Sequence, residues 1–443
     1  MGKDTIKKLV LLFLLLVNPV VILLFWYSNY RVRLDQSSTN GLIELGMLAG
    51  LFAVYGILLQ VILIGRVKWV EKFFGFDKLT VFHKWNGFLI GIFIIAHPLF
   101  LTAGFSKRDY TGFIEQFREF LTWEDVSLAF IGFLIFIYAM FFSISFIKKR
   151  IKYETWYYIH FTIYFAIIFS FGHQINAGLD FIMNPFFMYY WIFLYLFVFG
   201  NLMIYRFIKP VYYFMRYRFK VERICKETGD VVSVYITGRD IAGFHFEAGQ
   251  FMILRFLAKG FWFEEHPFSF SSEPTGKNIR VSIKNVGDFT SRIEQLKPGT
   301  PVVIDGPHGV FTAKKCTGNK ALFIAGGIGI TPIRAMIPVF LNQNRNSVLL
   351  YSNRFVDGIT FKNELDNLAT NKNFSVYHVI SRDLKWNGEK GSIDEEKILR
   401  IVPDFKERDI YLCGPVPMMT TLRNALIKLG LKPKRIHFEK FAF

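Results

Sequence analysis

Four of the chain's nine histidines stand in long apolar stretches, His83 and His97 in one, His160 and His173 in another. An imidazole inside a membrane-length segment is costly unless it has a partner. The first two are 14 residues apart (97 − 83) and the second two 13 (173 − 160), so each pair is separated by about 20 Å along a helix. Basic residues precede both stretches, and both helices are expected to start at one membrane face. His83 then lies level with His160, and His97 with His173. Two neutral imidazoles facing each other across a gap suit axial ligation of a haem iron. Zinc fits less well, because two donors per layer are too few and no cysteine or carboxylate is near in sequence. For any one histidine alone, a helix-end residue reaching headgroups or a bonded polar group in a bundle is the plainer reading.

Fourteen residues at 100° return nearly to the same helix face, whereas thirteen leave two rings about 140° apart. The second stretch must bend, or its donors must approach from different sides. Gly87, Gly91 and Gly172 would let a flat ligand, or merely another helix, approach the backbone. Phe88, Phe93 and Phe165 fall between the two layers, where core packing is the ordinary role for a phenylalanine.

The 443 residues are 52% hydrophobic and 18% aromatic, an excess concentrated in the first ~205 residues. Segments 9–27, 42–64, 82–103, 126–147, 156–171 and 181–207 approach the ~20 apolar residues that span a bilayer. The first follows a charged start like that of a signal peptide, but it is long and lacks a small-residue cleavage site, so a retained helix is expected. Lys7 and Lys8, then Arg66, Lys68, Lys72, Lys78 and Lys84, then KKRIK (148–152) fill alternate loops. These loops and both termini are therefore expected in the cytoplasm. The formal net charge of +18 is mostly membrane-surface chemistry, and no element that reads nucleic acid accompanies it. The same basic loops could dock the C-terminal half. Cys225, Cys316 and Cys413 are spaced for neither zinc nor a disulfide framework.

After Pro210 the chain reads as short strands. HPFSFSS (His266–Ser272) and VSIKNVGDFTSRI (Val281–Ile293) follow, where Gly287 and Thr290 could open a helix toward a phosphate. In ALFIAGGIGITPI (321–333) an apolar strand runs into Gly326, Gly327 and Gly329, with Thr331 expected as N-cap and Pro332 as the first helical residue. That strand–turn–helix context suits a dinucleotide pyrophosphate. Arg354 follows the next strand, where a 2′-phosphate favours a cation and a free ribose an acid. NADPH is therefore expected, with NADH possible.

Taken together, the histidine pairs and these motifs resemble the NADPH oxidase and ferric reductase family over most of the chain. The resemblance implies a six-helix transmembrane di-haem domain (1–210), a β-barrel FAD-binding domain (211–315) and an α/β NADPH-binding domain (316–443). It implies that His83 and His160 hold an inner b-type haem, and His97 and His173 an outer one. His266, Pro267, Phe268 and Ser269 would border the flavin ring, and Lys284, Gly287 and Thr290 its pyrophosphate. Cys413, Gly414 and Pro415 of YLCGPVPMM would lie at the nicotinamide, and the terminal Phe443 would stack on the flavin. The implied activity is electron transfer from cytosolic NADPH across the cell membrane to oxygen, giving superoxide. A ferric chelate or another extracytoplasmic acceptor is the alternative. Eukaryotic oxidases carry a further histidine where this chain has Leu101, and an arginine on the second helix where 42–64 has none. A histidine-bearing membrane channel or anchor fused to a soluble reductase, without haem, is the reading from a different class. No obligatory protein partner is expected.

Overall fold

The computed structural model describes residues 3–35, 40–144, 147, 150–383 and 385–439. Two compact units emerge, Met1–Val67 with Leu79–Met203, and Lys68–Lys78 with Ile204–Phe443.

The first unit is helical. In chain order the helices are α1 (Lys3–Asp35), α2 (Gly41–Ile64), α3 (Lys68–Phe74, in the second unit), α4 (Phe76–Asp109), α5 (Phe113–Phe120) and α6 (Glu124–Ser143). There follow α7 (Tyr153–Phe161), α8 (Ile163–Phe169), α9 (Phe171–Asn176), α10 (Leu179–Met183) and α11 (Pro185–Leu202). A π-helical turn, Met203–Ile208, continues α11 into α12 (Lys209–Tyr217). Local sequence sets the starts of the long helices. Asn40 accepts from the Leu42 and Ile43 N–H groups, and Asn184 caps α11 with Pro185 in its first turn, each satisfying donors that a helix start leaves free.

Among the described residues, five helices are long and apolar enough to cross a membrane: Leu15–Leu34, Gly41–Ile64, Phe76–Asp109, Glu124–Ser143 and Pro185–Tyr217. The fifth expected span, 156–171, falls instead in the run α7–α8–α9, broken at Thr162 and Ser170. The Thr162 N–H bonds to Ile159 and the Phe165 N–H to Thr162, both i→i−3, and the Thr162 hydroxyl donates to the Ile159 carbonyl. Such tight turns wind the chain about 20° further per residue than an α-helix, which reduces the angular mismatch of the thirteen-residue spacing.

At one end of this unit Arg33 is buried between two carboxylates. Its guanidinium lies 2.6 Å from Glu44 and 2.8 Å from Asp180, while Asn29 donates to the Asp180 carboxylate. The cluster ties α1, α2 and α10 together, and removing one member would leave an uncompensated buried charge.

The second unit contains two three-stranded antiparallel sheets and one parallel sheet. In the first two, β1 (Lys220–Lys226), β2 (Val231–Thr237) and β5 (Ile279–Lys284) form one layer, and β4 (His266–Ser269), β3 (Phe251–Phe256) and β6 (Val302–His308) the other. Isolated bridges Phe270–Val281 and Lys220–Pro301 link the layers where a continuous barrel was expected. Val234, Ile236, Met252, Leu254, Phe256 and Phe270 fill the space between them. The short helix α13 (Asp288–Ser291) follows β5.

The parallel sheet has the order β10-β9-β8-β7-β11-β12. Its strands are β7 (Lys320–Gly326), β8 (Asn346–Asn353), β9 (Phe374–Ile380), β10 (Glu389–Lys390), β11 (Asp409–Cys413) and β12 (Ile436–Phe438). Helices α14 (Ile330–Asn342), α15 (Lys362–Leu368), α16 (Glu395–Ile401) and α17 (Val416–Lys428) accompany them. The chain builds outward from β7 in one direction and from β11 in the other, so the order reverses between these two strands. Arg280 of β5 is buried against Glu364 of α15, which also pairs with Arg334 of α14 at 2.6 Å. This contact joins the antiparallel and parallel sheets.

Candidate functional site

The four membrane histidines meet as their spacing predicts. Ring centroids of His83 and His160 are 6.0 Å apart, and those of His97 and His173 6.2 Å. The α4 partner is thus matched by one from α7 in the first layer and one from α9 in the second.

Hydrogen bonds orient two of these rings. His97 Nδ1 lies 2.7 Å from the Gly46 carbonyl, and because a carbonyl only accepts, Nδ1 carries the proton. His160 Nδ1 is 3.1 Å from Ser143 Oγ, whose own hydrogen is spent on the Ala139 carbonyl at 2.7 Å. Nδ1 therefore donates there too. In both rings Nε2 is left as the lone-pair nitrogen, the tautomer that a metal-ligating histidine needs. Among the described residues, no cluster of three or more His, Cys, Asp and Glu side chains could hold a metal ion. The donor set is therefore two imidazoles per layer.

The small residues that matter lie on α2, which reads in sequence as uniformly apolar. A Cβ on Gly50 would fall 2.6 Å from His97 Nδ1, so that ring packs directly on the α2 backbone. One turn earlier, a Cβ on Gly46 would meet Leu101 at 2.8 Å, so the position where eukaryotic oxidases carry histidine is closed by an apolar contact. Gly87 and Gly91 instead face Gln60 and Met140, and Gly172 faces Asp125, the helix-approach role. Phe88 and Phe165 are exposed and do not fill the space between the layers, while Phe93 stacks on Phe52 at 5.8 Å.

In the second unit the two expected flavin motifs come together. The His266 ring lies 4.0 Å, centroid to centroid, from Phe289 of the GDFTSR turn, and Phe268 stacks on the same ring at 6.2 Å. Pro267 and Ser269 pair with Ile253 and Phe251 of β3. Thr290 turns its hydroxyl inward, accepting from the Val286 and Gly287 N–H groups and donating to the Gly287 carbonyl. Its part is to shape the turn. Lys284 pairs with Asp230 at 3.1 Å.

The glycine turn and the CGP turn meet at the sheet's reversal point, where nucleotide ligands of such sheets bind. Ala325 of β7 pairs with Cys413 of β11. A Cβ on Gly329 would collide with the Cys413 carbonyl, and one on Gly326 would lie 2.7 Å from Met418 Sδ and 3.0 Å from Pro415 Cδ. Gly414 likewise sits 3.0 Å from the Gly326 nitrogen by the same measure. Gly327 has open space but a φ of +51°, which is why that position favours glycine. The expected cap is corrected: α14 begins at Ile330 with Gly329 as N-cap, and the Thr331 hydroxyl donates back to the Ile328 carbonyl. Thr331 and Pro332 are buried inside the first turn. Arg354 is exposed just beyond β8. Phe443 lies outside the described residues.

Two residues not singled out in the sequence stand beside these turns. Glu439, just after β12, is 3% exposed, and its carboxyl oxygens find no well-formed hydrogen bond among the described residues. Burial, with the nearby charges of Asp77 and Glu71, pushes its pKa up to about 8, so the carboxyl is neutral at pH 7. Burial, and then Glu439, also push the Cys413 thiol up, so it is uncharged and no thiolate nucleophile. Glu71 of α3 meets His308, the last residue of β6, and Gly309 after it.

Several stretches of the chain match known proteins. Residues 49–171 match the family model of the ferric reductase like transmembrane component, 215–312 an FAD-binding domain, and 323–424 an oxidoreductase NAD-binding domain. The glycine betaine monooxygenase reductase subunit of Pseudomonas aeruginosa is 30% identical over 240 residues, 51% of this chain and 64% of that protein. A flavohemoprotein of Candida albicans is 32% identical over 234 residues, 50% of this chain and 58% of that one. The match thus spans less than two thirds of either relative. Among solved structures, the FAD/NAD-binding domain of the nitric oxide dioxygenase from Vibrio cholerae aligns with a TM-score of 0.46 at 23% identity, covering 50% of this chain and 97% of that one. A ferric-reductase-like transmembrane component joined to FAD-binding and NAD-binding oxidoreductase domains is the architecture of the NADPH oxidase and ferric reductase family, and this chain has it.

Proposed function

We propose that the protein carries electrons from cytosolic NADPH, through FAD and two b-type haems, to oxygen on the far side of the cell membrane, giving superoxide. The observation that supports this reading most is the pair of imidazole layers, with ring centroids 6.0 and 6.2 Å apart. That spacing would let the two imidazoles of each layer hold one haem iron between them. His83 and His160 would hold the inner haem, His97 and His173 the outer.

When bound, a flavin takes a hydride and passes on single electrons, and haem iron accepts them one at a time. The chain's own residues do the rest. The glycine turn admits the dinucleotide backbone, and Arg354 offers a cation to a 2′-phosphate. Neutral Glu439 and the uncharged Cys413 thiol keep added negative charge away from the nicotinamide end. Gly46 and Ser143 hold two imidazoles in the ligating tautomer. The balance is one NADPH giving NADP⁺, a proton and two electrons, with two oxygen molecules each reduced once. One-electron transfer to oxygen needs neither a ligand nor a proton donor, which is compatible with Leu101 closing against Gly46.

The same apolar contact favours a second reading, since it leaves the outer layer without the oxidase histidine: reduction of a ferric chelate or another extracytoplasmic acceptor. The basic loops support a cytoplasmic placement of both termini, and activity without an obligatory protein partner goes with this reading. Superoxide-dismutase-sensitive cytochrome c reduction and ferric-chelate reduction, measured with NADPH in one preparation, separate the two. A faster dismutase-sensitive rate is expected. A faster chelate reduction, insensitive to dismutase and persisting without oxygen, would establish the alternative.

A further inference from the structure

The loop between β3 and β4 displays two aromatic side chains that have no business in water. Trp262 is 53% exposed and Phe263 88%, while their neighbour Phe261 is 4% exposed. Phe261 packs on Phe289 at 5.5 Å. Arg292 closes the loop from below, donating to the Gly260 carbonyl and pairing with Glu264 at 2.7 Å. The loop is thus held in shape with its two largest apolar groups turned outward.

Its height relative to a bilayer follows from the next residue but one. Glu265 pairs with Arg206 at 2.8 Å and with Arg255 at 3.1 Å. Arg206 belongs to the span helix Pro185–Tyr217. Counted from Pro185, ~20 residues exhaust the hydrocarbon thickness near Ile204, so Arg206 falls at headgroup level. Beyond it the same helix exposes Phe207 and Ile208. An ion pair to Arg206 therefore holds Glu265, two residues after Phe263, at that level. Tryptophan and aromatic neighbours favour this zone, and exposed Lys259 favours anionic headgroups.

We propose that Trp262 and Phe263 are a membrane-interface anchor, entering the headgroup region of the leaflet beside Arg206 and fixing the height of strand β4, which begins at His266. The occupant is lipid. The inference needs only the membrane-spanning character of the chain and stands whether or not the haem assignment does.

The test places a nitroxide at Phe263→Cys, and at Lys277→Cys as an exposed control, in a Cys225→Ser background. The full chain is reconstituted in nanodiscs of phosphatidylcholine with phosphatidylglycerol, one chain per disc. Because Phe263 is almost fully exposed, its replacement removes little packing, and flavin reduction by NADPH checks that the fold is kept. Power saturation should show several-fold lower access of an aqueous nickel chelate at 263 than at 277, with higher access of oxygen. Equal chelate access at both positions would overturn the anchor. Protection that appears only with two chains per disc would overturn it in favour of a contact between copies.

Discussion

Glu71 and His308, 237 residues apart in sequence, face each other at 2.8 Å in the second unit, each side chain 4% exposed. The other Glu71 oxygen accepts from the Gly309 N–H, and His308 Nε2 lies 3.1 Å from Asp305. A helix adjoining the third membrane span is thus built into the dehydrogenase half through its one acid, Glu71, which the lysine-rich reading of that loop overlooked. Burial opposes charge on His308, but Glu71 and then Asp305 outweigh it and push its pKa up to about 9.

This raised value fixes the sign of a pH effect. The imidazolium is favoured in the folded state, so its stabilisation is fully present below the unfolded value of about 6.5 and is lost as pH rises through about 9. Thermal unfolding of the dehydrogenase half should therefore shift to lower temperature between pH 7 and 9.5. In Glu71→Gln that slope should flatten and stability at pH 7 should fall, by up to ~3 kcal/mol for a broken buried pair. An unchanged pH slope would contradict the charge assignment.

The outer layer depends on a glycine. Gly50→Ala puts a methyl where the His97 ring now lies, so the variant should lose the His97/His173 haem signal while keeping the His83/His160 one. His97→Leu should do the same, leaving about half the b-type absorbance per chain. Redox titration of the two variants would show whether one and the same component disappears.

Much of this was legible beforehand, for a physical reason. Paired histidines at near-equal spacing can satisfy each other only level by level, and glycine turns after apolar strands announce themselves through local chemistry. What stayed hidden depended on distance or on plain residues. Gly46 and Gly50 are ordinary members of an apolar helix until His97 and Leu101 are packed on them. The break at Thr162 turns on i→i−3 bonds that no hydropathy pattern records. Glu439 and Glu71 owe their character to partners far along the chain. Thr331 misled because capping preference names a residue type, while the tight approach to Cys413 required glycine at that corner.

Coenzyme preference should rest on Arg354. Arg354→Ala is expected to raise the KM for NADPH about tenfold, the equivalent of ~1.4 kcal/mol, with little change for NADH. Steady-state kinetics with both coenzymes would reveal an equal effect on the two if the side chain has no 2′-phosphate contact.

Glu439 supplies a proton-dependent limb. With its pKa pushed up to about 8, it ionises above that pH, and the rate of flavin reduction by NADPH should fall there. Glu439→Gln, which cannot ionise, should remove the limb while retaining rate at pH 7. Stopped-flow absorbance across pH 6.5–9.5 reads both outcomes.

The central claim is tested most directly by the absorption spectrum of the purified full-length protein, with haem and flavin quantified, before and after anaerobic addition of NADPH. Two b-type haems and one FAD per chain, all reduced by NADPH, are predicted. A protein that binds FAD and oxidises NADPH yet shows no b-type reduced-minus-oxidised difference, or one that survives replacement of both His160 and His173 by alanine, would contradict the account.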